Sequence, residues 1–105
     1  MKGSVTKPMR KRVYEKSWGG RGEHGFRYID YKVAFGEVTI YLISKDYDDW
    51  GGSSNLIADR EKKMTFPLAG RSITKEFLYE CIQAAGEKLN DTYLLPTSPD
   101  ELNLS

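Results

Sequence analysis

The most constraining feature of the sequence is a pair of alternating segments on either side of a glycine. Residues 26–35 (FRYIDYKVAF) and 38–45 (VTIYLISK) are rich in β-branched and aromatic residues, and Gly36-Glu37 lies between them. A Gly-X pair between two such segments is typical of a two-residue β-hairpin turn. The sequence therefore predicts a hairpin with its bend at Gly36 and Glu37.

This bend determines which side chains share a face of the hairpin. One face is almost entirely apolar and carries the predicted pairs Phe35–Val38, Val33–Ile40, Tyr31–Leu42 and Ile29–Ser44. The opposite face carries Tyr28, Asp30, Lys32, Thr39, Tyr41, Ile43 and Lys45. Because a one-residue slip would bury Lys32 and Asp30, the pattern specifies the assignment of faces strongly.

Further strands are indicated on both sides of the hairpin. Residues 11–18 (KRVYEKSW) alternate and predict a strand, followed by a flexible loop at 19–25, where four of seven residues are glycine. Residues 46–55 (DYDDWGGSSN) predict a second loop. Residues 63–68 (KMTFPL) predict a strand whose proline places it at a sheet edge or strand end, whereas 56–58 have no firm assignment.

A helix is predicted from Lys75 to about Leu89, with Thr74 as its N-cap. Its apolar stripe at helical spacing consists of Phe77, Leu78, Cys81, Ile82, Ala85 and Leu89. An isolated helix of this length is marginal in water, so the stripe must dock on the apolar face of the sheet. The predicted fold class is therefore α+β, an antiparallel meander of about four strands with one C-terminal helix on one face.

The length of 105 residues suits one domain. We expect a disordered lead-in at 1–9, a single domain at 10–95 and a flexible tail at 96–105. The single cysteine, Cys81, forms no internal disulfide, which favours a reducing compartment. Without a signal-peptide pattern or a long apolar run, the expected location is cytoplasmic, with no membrane partner.

The residues that could carry chemistry are few. His24 is the only histidine and Cys81 lies on the apolar stripe, so neither a zinc site nor an activated thiol is indicated. The glycine-rich loop lacks the P-loop pattern, and the acidic loop lacks the ligand spacing of a calcium loop. We therefore expect no enzyme, no metal and no cofactor. The alternative is a hydrolase using carboxylates among Asp46, Asp48, Asp49, Asp59 and Glu61.

The candidate contact surface is the hairpin face turned away from the helix. Its expected contact residues are Tyr28, Lys32, Tyr41 and Lys45, and a neighbouring first strand would extend it with Arg12, Tyr14, Lys16 and Trp18. The glycine-rich segment adds Arg21, His24 and Arg27, and the acidic loop adds Asp48, Asp49 and Trp50. Tyr, Trp and Arg on an open face are typical of a protein interface or a nucleic-acid platform.

The charge distribution leaves two functions open. Residues 1–32 hold nine Lys and Arg against three acids, and residues 33–105 hold seven against twelve. The first hypothesis is a small non-enzymatic protein that modulates or inhibits a macromolecular partner, preferably a protein, by steric occlusion, as short inhibitors encoded by phages and mobile elements do. The alternative is a nucleic-acid binder that uses the basic first third and the Tyr/Lys face. An edge strand would also permit a homodimer.

Overall fold

The structure, a computed structural model, describes residues 9–104 and contains one antiparallel sheet in the order β1-β2-β3-β4, followed by one helix. The elements are β1 (Lys11–Gly20), β2 (Glu23–Ala34), β3 (Glu37–Asp48), β4 (Asn55–Pro67) and α1 (Lys75–Lys88), with short 3-10 turns at Trp50–Gly52 and Pro99–Glu101. The predicted α+β meander is confirmed. Most of the expected lead-in at 1–9 lies outside the described residues.

The apolar stripe of α1 docks on one face of the sheet, as predicted. Thr74 Oγ1 accepts a hydrogen bond from the Phe77 amide at 3.1 Å and so caps the first turn. The buried stripe and the sheet residues beneath it form one core cluster, which includes Phe77, Leu78, Cys81, Ile82 and Ala85 of α1 and Ile29, Tyr31, Val38, Ile40 and Leu42 of the sheet. We call the opposite side of the sheet the outer face.

The bend between β2 and β3 lies one position earlier than predicted. Ala34 pairs with Glu37, so the two bend residues are Phe35 and Gly36, with φ of 54° and 75°. Positive φ at both positions is what a type I′ turn requires. Phe35 is consequently 98% exposed. The expectation that it lies on the apolar face and contributes to the core is wrong.

The shifted bend changes the cross-strand partners but not the faces. Val33 pairs with Val38 and Tyr31 with Ile40, each two residues from the predicted partner. Because side chains alternate with a period of two, a displacement of two residues leaves every side chain on its predicted face. Moving the bend by one position therefore preserves the division into an apolar face and an outer face.

The strands extend through segments that were predicted as loops. β1 and β2 are joined by a two-residue turn at Arg21 and Gly22, so most of the glycine-rich segment 19–25 is paired strand. At Gly25, a Cβ atom would lie 2.3 Å from Nε1 of Trp18, so the indole can occupy this position only because residue 25 is glycine. Residues 56–58 and 63–68 belong to one continuous strand, β4.

A β-bulge in β1 turns two consecutive side chains into the core. The pairing shifts between Arg12 and Tyr14, and both Val13 and Tyr14 are buried. The extra residue reverses the alternation along the rest of the strand. Residues of β1 beyond the bulge therefore occupy the opposite faces from those that simple alternation from Arg12 predicts.

The C-terminal segment 96–104, expected to be a flexible tail, packs against the domain. Leu102 is 2% exposed and belongs to the core cluster. The amide of Asn103 donates to the carbonyl of Val13 at 2.8 Å, and Gln83 Nε2 donates to the carbonyl of Pro96 at 2.9 Å. The domain thus extends beyond residue 95 to include this segment.

The position of the bend predicts the effect of Phe35→Asn. Asparagine tolerates positive φ better than phenylalanine does, and Phe35 buries almost nothing. We expect Phe35→Asn to raise the free energy of unfolding by about 1 kcal/mol, measured by urea denaturation with an unchanged m-value. Phe35→Ala is the control and should change it by less than about 0.5 kcal/mol. A loss of about 3 kcal/mol with either variant would instead indicate an inward-facing Phe35.

Candidate interaction surface

Four aromatic rings form a continuous row on the outer face, which we call the aromatic row: His24, Tyr47, Phe26 and Tyr28. His24 stacks on Tyr47 with ring centroids 4.8 Å apart and planes 4° from parallel, and Phe26 stacks on Tyr28 at 5.6 Å and 9°. Edge-to-face contacts from Phe26 to His24 and to Tyr47 join the two stacks. All four side chains are half-buried. The row is therefore ordered by ring–ring contacts while remaining accessible.

The stacking determines which part of each ring is offered to a partner. Phe26 and Tyr28 lie nearly parallel with centroids 5.6 Å apart, as in an offset stack, so part of one face of each ring lies against its neighbour. The guanidinium of Arg12 lies 4.2 Å from the centroid of Tyr28 and covers this ring as well. Part of the ring surface of the row is thus already occupied by contacts within the protein.

Two arginines bridge the outer face next to the aromatic row. Arg12 Nε donates to Asp30 Oδ1 at 2.8 Å, and Arg10 Nη2 donates to Glu61 Oε1 at 2.8 Å and to Asp30 Oδ2 at 3.3 Å. The hydrogen bond to Glu61 raises the pKa of Arg10, and the hydrogen bond to Asp30 raises the pKa of Arg12. Arg10 also lies 3.8 Å from the centroid of Tyr41. The centre of the outer face is therefore a set of internal ion pairs.

The charges of the outer face balance. Strand alternation and the arginine contacts place five basic side chains there, Arg10, Arg12, Lys32, Lys45 and Lys63. The same criteria place five acids there, Glu15, Asp30, Glu37, Asp59 and Glu61. On this face, residues 1–32 contribute one excess positive charge, and β3 and β4 contribute one excess negative charge that balances it. A surface without net charge attracts polyanions weakly.

At one end of the outer face, the loop after β3 docks on the turn between β1 and β2. The amide of Asp49 donates to the carbonyl of Gly22 at 2.9 Å, and Asp49 Oδ2 lies 2.8 Å from His24 Nδ1. Trp50 is 65% exposed and lies against Gly22, where an added Cβ would be 2.7 Å from the indole. The amide of Trp50 also donates to Asp48 Oδ1 at 3.0 Å. The loop therefore presents a positioned, exposed indole beside the aromatic row.

The chemistry of this loop differs from that of a catalytic triad. Ser54 Oγ donates to Asp49 Oδ1 at 2.8 Å, so the hydroxyl contacts the carboxylate and not the imidazole of His24. A nucleophilic serine would have to be bonded to the histidine that removes its proton. Hydrogen bonds from His24 and Ser54 lower the pKa of Asp49. The cluster holds the loop against the turn rather than activating a hydroxyl.

Several expected contact residues are found together at the accessible part of the outer face and its loop end. Tyr28, Lys32 and Lys45 lie half-buried on the outer face. The loop end adds His24, Asp48, Asp49 and Trp50, and the turn exposes Arg21.

Tyr41 is on the predicted face but is only 5% exposed, because Arg10 covers its ring. Its expected role as an exposed contact is therefore wrong for the structure with Arg10 in place.

Trp18, Lys16 and Tyr14 do not extend the outer face as expected. Lys16 pairs with Arg27 and Trp18 pairs with Gly25, on the side of the sheet that carries α1, and Tyr14 is buried there. The bulge at Val13 is the reason, since it reverses the alternation after Arg12. Of the four β1 residues proposed for this surface, Arg12 alone lies on it.

Arg27 is likewise on the helix side and is 1% exposed. Its Nε donates to the carbonyl of Tyr93 at 3.0 Å, and its Nη atoms bind both carboxylate oxygens of Asp91. Together with Trp18, this pair lines a cleft of about 290 Å³. The guanidinium is buried and bonded within the domain, so the expected partner contact at Arg27 is wrong.

Three contributors to the outer face were missed by sequence reasoning: Phe26, Tyr47 and Arg10. Phe26 lies two residues before Tyr28 within the segment predicted as a strand, so the same alternation already places it on the outer face. Tyr47 lies two residues after Lys45, in a segment whose aspartates and glycines predict a loop, so only the longer strand β3 places it there. No sequence signal places Arg10, because its contacts to Asp30 and Glu61 join distant positions.

The chain matches no protein-family model, no curated protein and no solved structure. Within residues 9–104, no helix is long and apolar enough to cross a membrane. The same part of the chain contains no group of three or more His, Cys, Asp or Glu side chains arranged to hold a metal ion. Burial raises the pKa of the Cys81 thiol, which disfavours the reactive thiolate.

Because the Arg27–Asp91 pair is buried, Asp91→Ala should destabilise the protein much more than Glu80→Ala, which breaks an exposed ion pair. Asp91→Ala leaves a buried guanidinium without its carboxylate, so we expect a loss of about 3–5 kcal/mol in the free energy of unfolding. Glu80→Ala removes the partner of Arg71 in an exposed pair and should cost at most about 1 kcal/mol. Urea denaturation measures both values. Similar losses for the two variants would show that Arg27 is not a buried structural charge.

The lowered pKa of Asp49 predicts an acid-induced release of the loop. A depressed carboxyl pKa means that the stabilisation is complete above the unfolded value and is lost as the pH falls through the folded value. In a Trp18→Phe background, the fluorescence of Trp50 should therefore change with a midpoint below the ordinary aspartate value of about 3.9. Ser54→Ala should move the midpoint upward, and Asp49→Asn should abolish this transition. If Ser54→Ala leaves the midpoint unchanged, the transition does not report the Asp49 carboxylate. Circular dichroism at each pH checks that the whole protein remains folded.

Proposed function

We propose that the protein is a non-enzymatic binding protein that docks its outer face on a protein partner and blocks the surface it covers. The observation that carries this proposal is the aromatic row, which is ordered by stacking and by Arg12 while all four rings remain half-exposed. Aromatic side chains held in place before binding lose little conformational entropy when a partner docks. Tyr, Trp and Arg are also the residues that dominate binding energy in protein interfaces.

The dimensions of the outer face suit a single standard interface. Strands of 12 residues in a four-stranded sheet give a face of about 40 by 19 Å, or about 750 Å², from the usual strand rise and spacing. A standard protein complex buries about 800 Å² on each partner. A chain of this size that covers such an area on its partner acts by steric occlusion and needs no catalytic group.

The geometry favours a protein partner over a nucleic acid. Base stacking requires open ring faces, whereas Phe26 and Tyr28 already lie partly against each other and Arg12 lies over the Tyr28 ring. The equal numbers of acids and bases on the outer face provide no excess charge for phosphates. Lys32 and Lys45 on the outer face, with Asp48 and Asp49 at the loop end, can instead orient a partner of mixed charge.

Within this proposal, Trp50 is the anchor residue. It is the large aromatic side chain that remains most exposed at the loop end, and its position is set by Gly22 and by the hydrogen bonds of Asp49. An exposed, positioned indole can fill a pocket on a partner and bury its area at little entropic cost.

The test is affinity capture from a cell lysate with the tagged protein, followed by affinity measurement with the purified partner. Trp50→Ala and Lys45→Glu should each weaken binding, with at least a tenfold loss for Trp50→Ala. Phe35→Ala is the matched control, because it removes an aromatic ring that is even more exposed than Trp50, at the opposite end of the sheet, and should leave affinity unchanged.

Two results would contradict the proposed function. Capture that is insensitive to both outer-face variants would place the contact elsewhere. Loss of the captured protein on nuclease treatment, together with direct nucleic-acid binding that weakens steeply with salt, would establish the nucleic-acid alternative.

A further inference from the structure

Side chains from three adjacent strands converge on one guanidinium at the centre of the outer face. Asp30 of β2, Tyr41 of β3 and Glu61 of β4 surround Arg10, and we call these three residues the guanidinium seat. The ring centroid of Tyr41 lies 3.8 Å from the guanidinium carbon, and Arg10 Nη2 binds Glu61 Oε1 at 2.8 Å and Asp30 Oδ2 at 3.3 Å. The seat combines an aromatic face with two carboxylates in one place.

Two of the three seat residues are more buried than Arg10, whereas the side chain of Glu61 is 46% exposed. Asp30 and Tyr41 are direct cross-strand partners in the middle of the sheet, and their side chains are 9% and 5% exposed. Arg10 precedes the first residue of β1, and its side chain is 36% exposed. Removing Arg10 from the seat therefore breaks side-chain contacts but no described strand pairing.

The chemistry of the seat selects guanidinium over ammonium. A guanidinium is planar, so it can stack on the Tyr41 ring while its edges donate to two carboxylates in different directions. A lysine ammonium is a compact and strongly hydrated charge that stacks less well on a ring. The ligand best suited to this arrangement is an arginine side chain.

We propose that the guanidinium seat is a recognition pocket in which an arginine of the protein partner replaces Arg10. This inference rests on the proposed function and adds the chemistry of the partner: its docking surface presents an arginine to the seat. Arg10 then acts as an internal competitor. The apparent association constant for the partner arginine equals the intrinsic constant multiplied by the fraction of molecules in which the seat is vacant. Partner binding and release of Arg10 are thus coupled.

The proposal is tested with Arg10→Ala and a minimal probe, the acetylated and amidated peptide Gly-Arg-Gly. Titration is followed by NMR of the Tyr41 ring. The Arg10→Ala variant should bind the peptide in a saturable manner, at least tenfold more tightly than the unmodified protein, because the internal competitor is absent. The lysine analogue, Gly-Lys-Gly, should bind at least fivefold more weakly than the arginine peptide.

Two further variants control for general effects. Arg71→Ala removes another arginine that lies over an aromatic ring, Phe77, and pairs with a carboxylate, Glu80, so it should leave peptide affinity at the unmodified level. Adding Glu61→Gln to Arg10→Ala should weaken binding again, because it removes one of the two charges of the seat. Circular dichroism checks that each variant is folded, and Arg10→Gln replaces Arg10→Ala if the latter fails to fold.

The proposal is overturned if the arginine peptide leaves the Tyr41 resonances of a folded Arg10→Ala or Arg10→Gln variant unchanged. It is also overturned if the peptide binds the variant and the unmodified protein with equal affinity, or if the lysine peptide binds the variant as tightly as the arginine peptide does. These outcomes are distinguishable from a failure of the proposed function. Capture of a protein partner that depends on Trp50 and Lys45 would persist if the outer face is the interface but the seat does not receive an arginine.

Discussion

The burial of the α1 stripe on one face of the central hairpin is the interaction on which the rest of the structure depends. Phe77, Leu78 and Ile82 require an apolar surface, and the alternation of β2 and β3 provides one on a single side of the sheet. Side chains such as Leu42 and Ile40 then face α1, so their neighbours along the strands must face the opposite way. The outer face is thus a direct consequence of the core.

The outer face is ordered without a helix over it. Its side chains are organised by contacts among themselves, through stacking in the aromatic row and through the ion pairs of Arg10 and Arg12 with Asp30 and Glu61. Such contacts contribute less stability than the core but determine side-chain positions. This arrangement is consistent with the proposed binding function, since a surface that is ordered before docking loses less entropy on docking.

Most of the fold could be predicted because it depends on periodicity. The assignment of faces survived an incorrect bend, since displacing the bend by one residue moves each partner by two and preserves alternation. The bend itself was misplaced because Phe35 adopts positive φ, which aromatic residues rarely do. The predicted strands were also too short, because the glycines around Gly25 suggested a loop. In the structure, Gly25 lies within β2, where the Trp18 indole leaves no room for a larger side chain.

By itself, the sequence determined the α+β class, the extent and cap of α1, and the placement of Tyr28, Lys32 and Lys45 opposite the helix, because these follow from local spacing. Tertiary structure alone decided the rest. The bulge at Val13 placed Trp18 on the helix side, and Asp91, 64 positions along the chain from Arg27, provided the ion pair that buries this arginine. Contacts between distant positions have no period in the sequence, so only the folded chain can reveal them.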